Sequence, residues 1–421
     1  MARTTAGGHS HPARKLVALL PARHLPRRLD RAHPALLALR PTLTLARYAL
    51  AAAFALILGA GPALAGGDIR VAIADGLTTV EVGGGPMMVS DLAGRSVVSD
   101  SPTWLRATLK NGAIEVAGRR VDGLRLAPAD VGALRTNNRE YPGALEILRS
   151  GDGLTVVNEL PLEDYLAGAV KAEAGDKMPL EMLKAQAIVA RTYAAYHRRL
   201  NAEKAYHMVA STLNQQYGGQ VPADSVVWTA VRETAGQVLL WQGELFPAFY
   251  HTDSGGYTED PRVVFAASNM PALKPVRVEF PSESPHQRWR LELPLAELSA
   301  ALLRGGISVG RVVALDVLER SVSLRVARIA VRGTAGTVTL RGNDLRRLVG
   351  YDTLKSTLFA VAVVGPMARF VGRGYGHGVG LDQWSAKTMA DQGYAARRIV
   401  LYYYPGATLS TLPDVSPAVA R

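Results

Sequence analysis

The 421-residue sequence contains no cysteine. This excludes a disulfide framework and thiolate metal ligands, so the stability of the folded chain has to come from packing. The HExxH zinc-binding motif is also missing, and so is the Gly-Lys-Ser/Thr sequence that a phosphate-binding P-loop requires. No internal repeat or low-complexity linker occurs beyond the N-terminal leader. With 48% hydrophobic residues, the chain is long enough to bury one large core or two modest ones.

The formal net charge of +12 resembles that of a nucleic-acid-binding protein until the charges are located along the chain. The first 65 residues carry nine basic residues and one acidic residue, so eight of the twelve net charges lie there and four remain for the rest. The body of the protein is therefore only mildly basic, and we expect no nucleic-acid partner.

The basic N-terminus has the order of a secretory signal. It is followed by an apolar stretch at residues 48–58 and by the small residues 59–65, which end in Ala-Leu-Ala. The apolar stretch is about as long as a signal-peptide core and too short to span a bilayer comfortably. We predict a signal peptide with a long basic leader over residues 1–65, and a mature protein that is exported to the periplasm or cell envelope, or secreted, and at most peripheral to the membrane.

The secondary-structure pattern changes sharply at Pro161. Before it, short alternating runs such as 69–73, 79–82 and 154–157 predict strands, and residues 66–142 predict a β-rich N-terminal part. After it, apolar residues recur at helical spacing, which predicts a helix from Leu162 to about 173–175 and a longer one from Pro179 to about His197.

The C-terminal half alternates between strand-like runs and short helix-like runs. Strands are predicted at 238–241, 248–250, 289–293, 312–317, 326–331 and 337–340, and helices at 295–303, 343–348, 382–392 and 394–403. Together the segments predict an α+β protein with a β-rich N-terminal part, a central helical segment and a mixed C-terminal part.

Glu173 lies where the first helix of the central segment ends. Glu163 and Asp164 compete with it as functional acids, but they lie in a first helical turn, where carboxylates interact favourably with the helix dipole, and are interpreted as structural. Acids, amides and a histidine on exposed turns suit a polar, uncharged polymer such as a glycan.

A second informative segment is the glycine-rich GRGYGHGVGLDQW at residues 372–384. It fails the dinucleotide-binding pattern because Val379 stands where the third glycine belongs. The alternate glycines instead suggest a flat floor for a saccharide, with Tyr375, His377 and Gln383 supplying stacking and hydrogen bonds.

The DSGG sequence at residues 253–256 also surrounds the nucleophile of trypsin-like proteases. The flanking residues differ, and no upstream Ala-His-Cys block supplies a base. We interpret Ser254 as a hydroxyl that lines a glycan cleft, and His251 and Tyr257 as candidates for the same rim. An exported serine hydrolase with Ser254 as its nucleophile ranks last among three functional hypotheses.

Several blocks follow one another in an order that resembles the stage II sporulation protein D (SpoIID/LytB) family of bacterial cell-wall proteins. They are VVNELPLEDYLAGAV, KAEAG, LKAQAIVARTYA, YHTDSGGYTED, GRGYGHGVGLDQWSAKTMADQG and LYYYPGATL. The resemblance covers roughly residues 143–409. It implies a catalytic domain over 143–412, followed by a short tail at 413–421.

The resemblance implies a peptidoglycan lytic transglycosylase that cleaves between N-acetylmuramic acid and N-acetylglucosamine with Glu173 as its single acid and base. Arg191 is implied as an active-site residue, and the amide of Gln186 suits hydroxyl recognition. The competing hypothesis is a non-catalytic wall-binding protein that enhances an N-acetylmuramoyl-L-alanine amidase. Some relatives place a histidine and cysteines for a metal, but this chain has no cysteine, so we expect no bound zinc and no cofactor.

Overall fold

The computed structural model describes residues 68–212, 214–265, 270–281 and 283–412. These ranges contain eight α-helices and many strands, which confirms the predicted mixed α+β class. The predicted signal segment 1–65 and the tail 413–421 lie outside the described residues. Within the described part of the chain, no helix combines the length and the apolar character that crossing a membrane requires.

The N-terminal part consists of two six-stranded sheets, whose orders are β12-β1-β11-β10-β7-β3 and β6-β5-β4-β2-β8-β9. Alternate apolar residues of both sheets point into one shared core. The strands are β1 (Asp68–Leu77), β2 (Thr79–Gly83), β3 (Met87–Asp91), β4 (Trp104–Lys110), β5 (Ala113–Val116), β6 (Arg119–Val121), β7 (Gly123–Pro128), β8 (Ala133–Thr136), β9 (Arg139–Pro142), β10 (Ala144–Ser150), β11 (Gly153–Pro161) and β12 (Met208–Val209).

Two helices follow β11 directly, as the sequence predicts. Helix α1 (Leu162–Ala174) begins after Pro161 and ends at Gly175, and helix α2 (Leu180–Leu200) begins after Pro179. A proline just before a helix costs nothing, since the first N–H groups of a helix have no partner within it. The short break between the helices leaves Glu173 in the last turn of α1.

Helix α2 lies between two hydrophobic cores. Leu183, Ala187, Ala190 and Ala194 face the core of the N-terminal sheets, whereas Met182, Ala185, Ile188 and Val189 face a second core with the C-terminal helices. The spacing of each set is that of one helix face. Its many alanines allow neighbouring elements to approach closely on both sides. Helix α2 thus joins the core of the N-terminal sheets to the core of the C-terminal helices.

The C-terminal part adds three small sheets, a two-stranded pair and six helices. Its helices are α3 (Val226–Glu233), α4 (Pro261–Phe265), α5 (Leu295–Arg304), α6 (Gly342–Val349), α7 (Gln383–Asp391) and α8 (Ala396–Tyr403). Its strands are β13 (Gln237–Trp241), β14 (Glu244–Leu245), β15 (Tyr250–His251), β16 (Trp289–Pro294), β17 (Val312–Arg320), β18 (Val326–Gly333), β19 (Gly336–Arg341), β20 (Phe359–Val364), β21 (Met367–Gly372), β22 (Leu381–Asp382) and β23 (Thr408–Thr411).

Two predicted elements differ from the structure. The strand expected at 248–250 is only the two-residue β15, which pairs in parallel with β22. The helix expected from Tyr394 begins at Ala396 instead. The short β15–β22 pair holds the segment before DSGG against the end of the glycine-rich loop.

Candidate active site

A cleft of about 460 Å³ lies between the end of α1 and the C-terminal part. Its lining comes from Glu173 with the loop after β12, from β15 and the glycine-rich loop, and from α6 with the residues after it. Its polar lining includes Glu173, Tyr193, Asn214, Gln216, Tyr250, His251, Asn343, Arg346, Tyr351, Asp352, Tyr375, His377 and Gln383.

The carboxyl of Glu173 is held by two hydrogen-bond donors. The backbone N–H of Gln216 donates to its Oε1 at 2.6 Å, and the Tyr250 hydroxyl donates to the same carboxyl. Burial raises the pKa of Glu173 and outweighs the two hydrogen bonds, which lower it. The group is therefore a partly buried acid that can hold a proton closer to neutral pH than an ordinary glutamate.

A chain of side-chain hydrogen bonds orients Tyr250. Tyr165, which is buried in α1, donates to Gln215 Oε1 at 3.0 Å, and Gln215 Nε2 donates to the Tyr250 hydroxyl at 3.1 Å. Because the Tyr250 oxygen accepts from Gln215, its own hydrogen is directed to Glu173. The sequence analysis did not identify Tyr165, Gln215 or Tyr250, although Tyr250 stands in the YHTDSGG block.

His251 and His377 both line the cleft, as predicted. His251 Nδ1 lies 3.1 Å from the Val379 carbonyl, and His377 Nδ1 accepts from the Val379 N–H at 3.0 Å. Burial lowers the pKa of His251 to about 3 and that of His377 well below its usual value. Both rings are thus neutral at neutral pH, so neither brings a positive charge to the cleft.

The amides of Gln383 and Gln186 are hydrogen-bonded to each other, with Gln383 Nε2 donating to Gln186 Oε1 at 3.3 Å. Only Gln383 lines the cleft, whereas Gln186 is completely buried in α2. The predicted direct contact of Gln186 with a sugar is therefore corrected: its place in the structure is to orient Gln383.

Arg191 does not reach the cleft. Its Nε and Nη2 donate to the two carboxylate oxygens of Glu163, both at 2.7 Å, and its Nη1 donates to the Gln237 carbonyl at 3.1 Å. Both side chains are almost completely buried. Arg191 thus joins α1, α2 and β13, which corrects its prediction as a substrate-binding residue.

Ser254 is also buried and lies outside the cleft lining. Its N–H donates to Asp382 at 2.9 Å, its carbonyl accepts from Arg325 at 2.6 Å, and its hydroxyl accepts from the Gly256 N–H at 3.1 Å. The interpretation of Ser254 as a cleft hydroxyl is therefore corrected, because its groups are used to fix the DSGG turn.

Tyr257, like Ser254, is a predicted rim residue that lies outside the cleft lining. Its carbonyl accepts a hydrogen bond from the buried Arg325 at 2.7 Å, and it pairs with Arg277 in an isolated bridge. The DSGG segment therefore supplies the backbone framework next to the cleft, while His251, just before it, supplies the side chain.

The glycine-rich loop does not form a floor of exposed glycines. A Cβ on Gly376 would lie 2.7 Å from the Cβ of His251, and one on Gly380 would lie 1.9 Å from the Phe249 carbonyl oxygen. Both have positive φ angles, 113° and 73°. The glycines let the loop pack closely on the segment around β15, and the loop region contributes the side chains of Tyr375, His377 and Gln383 to the cleft lining.

The part of the lining that comes from α6 and the residues after it was not predicted from the sequence. Arg346 of α6 donates to the Leu354 carbonyl at 2.8 Å, and its guanidinium lies 4.7 Å from the ring centroid of Tyr351. Burial lowers the pKa of Arg346 to about 10, so it stays charged at neutral pH. Asp352 accepts a hydrogen bond from the Tyr375 hydroxyl. Only a short helix over 343–348 was expected here, and no local motif marks these residues.

Two sequence-family models match the chain. The SpoIID family ("Stage II sporulation protein") matches residues 150–241, and a domain of unknown function, DUF8618, matches residues 276–380. An uncharacterized protein of Brachyspira hyodysenteriae is 30% identical over 279 residues, which is 65% of this chain and 73% of that protein. This chain belongs to the SpoIID/LytB family.

Two relatives from Bacillus subtilis have informative names. The stage II sporulation protein D is 27% identical over 312 residues, which is 70% of this chain and 82% of that protein. The amidase enhancer is 26% identical over 294 residues, which is 58% of this chain but only 40% of the enhancer.

The walls of the cleft in this SpoIID-family protein correspond to the two matched segments. Glu173, Tyr193 and Gln216 lie within residues 150–241, whereas Arg346 and Tyr375 lie within residues 276–380. Tyr250 and His251 come from the stretch between the two. The cleft is thus assembled from all three parts of the chain.

Proposed function

We propose that this SpoIID-family protein is a lytic transglycosylase that cleaves peptidoglycan glycan strands between N-acetylmuramic acid and N-acetylglucosamine. The observation that supports this most is Glu173, whose pKa is raised by burial. It lies in a cleft whose polar lining is mostly amides, hydroxyls and neutral imidazoles, together with Arg346 and Asp352. The lining suits an uncharged polymer rich in hydroxyl and amide groups. The cell-wall context comes from the family, through relatives named for sporulation and for amidase enhancement.

One carboxyl is enough for this reaction. Protonated Glu173 gives its proton to the glycosidic oxygen, and the bond between that oxygen and C1 of the muramic acid breaks. The resulting carboxylate takes the proton of the C6 hydroxyl as the C6 oxygen bonds to C1, which closes a 1,6-anhydro ring and restores the acid. No water is consumed, and the nucleophile is tethered to the reacting sugar, so proximity replaces a second catalytic carboxylate.

The structure supports Glu173 in both steps. Its raised pKa keeps a proton available for donation, and the Tyr250 hydroxyl and Gln216 N–H stabilise the carboxylate that forms afterwards. General acid–base catalysis of this kind contributes roughly 10²–10⁴-fold to a rate. The second step returns the proton to Glu173, so the same carboxyl and the same two hydrogen-bond donors serve every catalytic cycle.

The test is digestion of purified, peptide-free glycan strands, with the products analysed by mass spectrometry. The parent protein should yield anhydro-ended products, one water lighter than hydrolysis products, and Glu173→Gln should lose at least about 100-fold in rate. Glu203→Gln, which changes an exposed acid, is the matched control and should match the parent. If the parent instead yields products with ordinary reducing ends, and Asp352→Asn no longer yields them, the protein is a hydrolase that uses Asp352, the other carboxylate of the cleft.

The amidase-enhancer relative supports a second candidate, a wall-binding protein without chemistry of its own. The discriminating experiment adds a cell-wall amidase to the parent protein and to Glu173→Gln. Equal stimulation by both, with no anhydro products from either, would favour the enhancer.

Because the proposed substrate lies outside the cytoplasmic membrane, the proposal includes export with removal of residues 1–65. N-terminal sequencing of the mature protein tests this. A mature chain that still begins at Met1 in the cytoplasm would contradict it.

A further inference from the structure

His251 carries a buried polar atom that has no partner. The side chain lines the cleft but is only 5% exposed. Its Nε2 forms no hydrogen bond with any of the described residues. A buried acceptor left unsatisfied destabilises the protein, so such an atom on a residue that lines a cleft indicates a donor that a ligand is to supply.

The tautomer of His251 follows from its surroundings. Nδ1 lies 3.1 Å from the Val379 carbonyl, and a carbonyl can only accept, so Nδ1 carries the ring hydrogen. Nε2 is therefore a lone-pair acceptor. It needs a donor from outside, which a sugar hydroxyl or an acetamido N–H would provide.

The neighbouring histidine does not supply that donor. His377 accepts the Val379 N–H at its Nδ1, so its ring hydrogen is on Nε2, and that group donates to the backbone carbonyl of Tyr250. The two ring centroids are 5.6 Å apart. Each ring thus has its own fixed tautomer, and only the acceptor of His251 is left for a ligand.

We propose that Nε2 of His251 accepts a hydrogen bond from the glycan bound in the cleft and so positions a sugar beside Glu173. The inference rests on the proposed function. His251 and Glu173 line the same cleft, so a sugar held by His251 is bound in the cleft that contains the acid. The low pKa of the ring, about 3, keeps it a neutral acceptor and makes it too weak a base to compete for the proton in the reaction.

The test measures binding without cleavage, using Glu173→Gln as the background and peptide-free glycan fragments in isothermal titration. Adding His251→Asn keeps a donor for the Val379 carbonyl and removes the Nε2 acceptor. We expect about tenfold weaker binding with an unchanged melting temperature. His251→Gln, whose longer amide reaches the Nε2 position, should recover part of the loss.

Two further ligands distinguish which group of the sugar donates the hydrogen bond to His251 Nε2. Chito-oligosaccharides carry an acetamido group at C2, whereas cello-oligosaccharides carry a hydroxyl there. A His251→Asn loss confined to the first ligand identifies the acetamido N–H, and an equal loss on both identifies a ring hydroxyl.

Equal affinities of the His251→Asn protein and its Glu173→Gln background would overturn the inference. That result would leave the proposed function intact, because cleavage is measured separately through the anhydro products of the parent. If His251→Asn lowers the melting temperature, nitrogen-15 NMR of the Glu173→Gln protein decides instead. The His251 Nε2 resonance should shift when glycan is added, and an unchanged resonance at saturating glycan would equally overturn the inference.

Discussion

The hydroxyl of Tyr250 donates a hydrogen bond to the carboxyl of Glu173. Its orientation is fixed because Gln215 Nε2 donates to the same hydroxyl at 3.1 Å. This contact stabilises the carboxylate and lowers the pKa of Glu173, against the larger effect of burial, which raises it. The pKa of the proposed catalytic group is thus set by burial, which raises it, and by the hydrogen bonds from the Gln216 N–H and the Tyr250 hydroxyl, which lower it. The tyrosine contribution can be altered by substitution.

Replacing Tyr250 by phenylalanine should raise the pKa of Glu173 further, because the carboxylate loses a donor. A general acid works only while protonated, so activity falls as the pH rises through its pKa. The alkaline limb of kcat/KM should therefore move to higher pH, by about one unit.

The control for this change is Tyr193→Phe. Tyr193 also lines the cleft, but its hydroxyl accepts from Asn214 at 3.2 Å. The limb should stay in place in that variant. A limb that moves to lower pH in Tyr250→Phe would contradict the assigned role of the tyrosine.

Replacing Glu173 by glutamine should stabilise the protein at neutral pH while abolishing cleavage. The folded-state pKa of Glu173 is raised, so the folded state holds the proton more tightly than the unfolded chain. The parent loses stability as the pH rises from about 4.5, the ordinary value, through the raised pKa. Glutamine carries no such penalty.

We expect a gain in the free energy of unfolding at pH 7 that disappears below pH ~4, measured by urea unfolding at both pH values. Glu203→Gln, at an exposed position, should change little at either pH. A gain that is equal at both pH values would show that desolvation of the carboxylate is not its cause.

Breaking the buried pair of Arg191 and Glu163 should destabilise the fold. Replacing either residue by alanine leaves the other charge buried without its counter-charge, which costs about 3–5 kcal/mol. The exposed pair of Arg199 and Glu244, with side chains 60% and 68% exposed, is the matched control. Arg199→Ala should cost no more than about 1 kcal/mol.

Urea unfolding of the three alanine variants measures these differences. If Arg191→Ala instead keeps full stability and only raises KM for glycan, the residue reaches the substrate, and its structural assignment is wrong.

Replacing Gly380 by alanine should distort the cleft floor. Its φ of 73° is strained for alanine, and the added Cβ would lie 1.9 Å from the Phe249 carbonyl oxygen. Gly393 has a similar φ of 84°, but a Cβ there would meet nothing within 4 Å. Gly393→Ala therefore isolates the backbone strain, about 1 kcal/mol.

The excess loss in Gly380→Ala, expected to be at least about 2 kcal/mol, measures the close contact. Thermal unfolding of the two variants provides the comparison. Equal melting temperatures would show that the loop can move away from β15 without cost.

The candidate site illustrates which kinds of residue local sequence reasoning can identify. Glu173, His251 and Gln383 stand beside helix ends or glycine-rich turns, and all three line the cleft. Arg191 and Ser254 stand in equally conspicuous blocks but are buried in the framework. A motif shows that a residue type is required at a position. Whether its side chain points to the cleft or to the core depends on partners elsewhere in the chain, such as Glu163 and Asp382.

The sequence by itself determined the local elements of this protein. The period of its apolar residues and the prolines at 161 and 179 set helices α1 and α2, and hence the place of Glu173 in a last helical turn. Helical and strand periods, prolines and glycines act within a few residues of the chain, so they can be recognised without a fold. The α+β class follows from them.

Only the tertiary structure decided what surrounds Glu173. The Gln216 N–H and the Tyr250 hydroxyl donate to its carboxyl, and Arg346 lines the same cleft, because the β15–β22 pair and helix α2 bring distant segments together. The burial that raises the pKa of Glu173 also belongs to the assembled fold. Desolvation depends on all atoms packed around a group, and most of those atoms belong to residues far away along the chain.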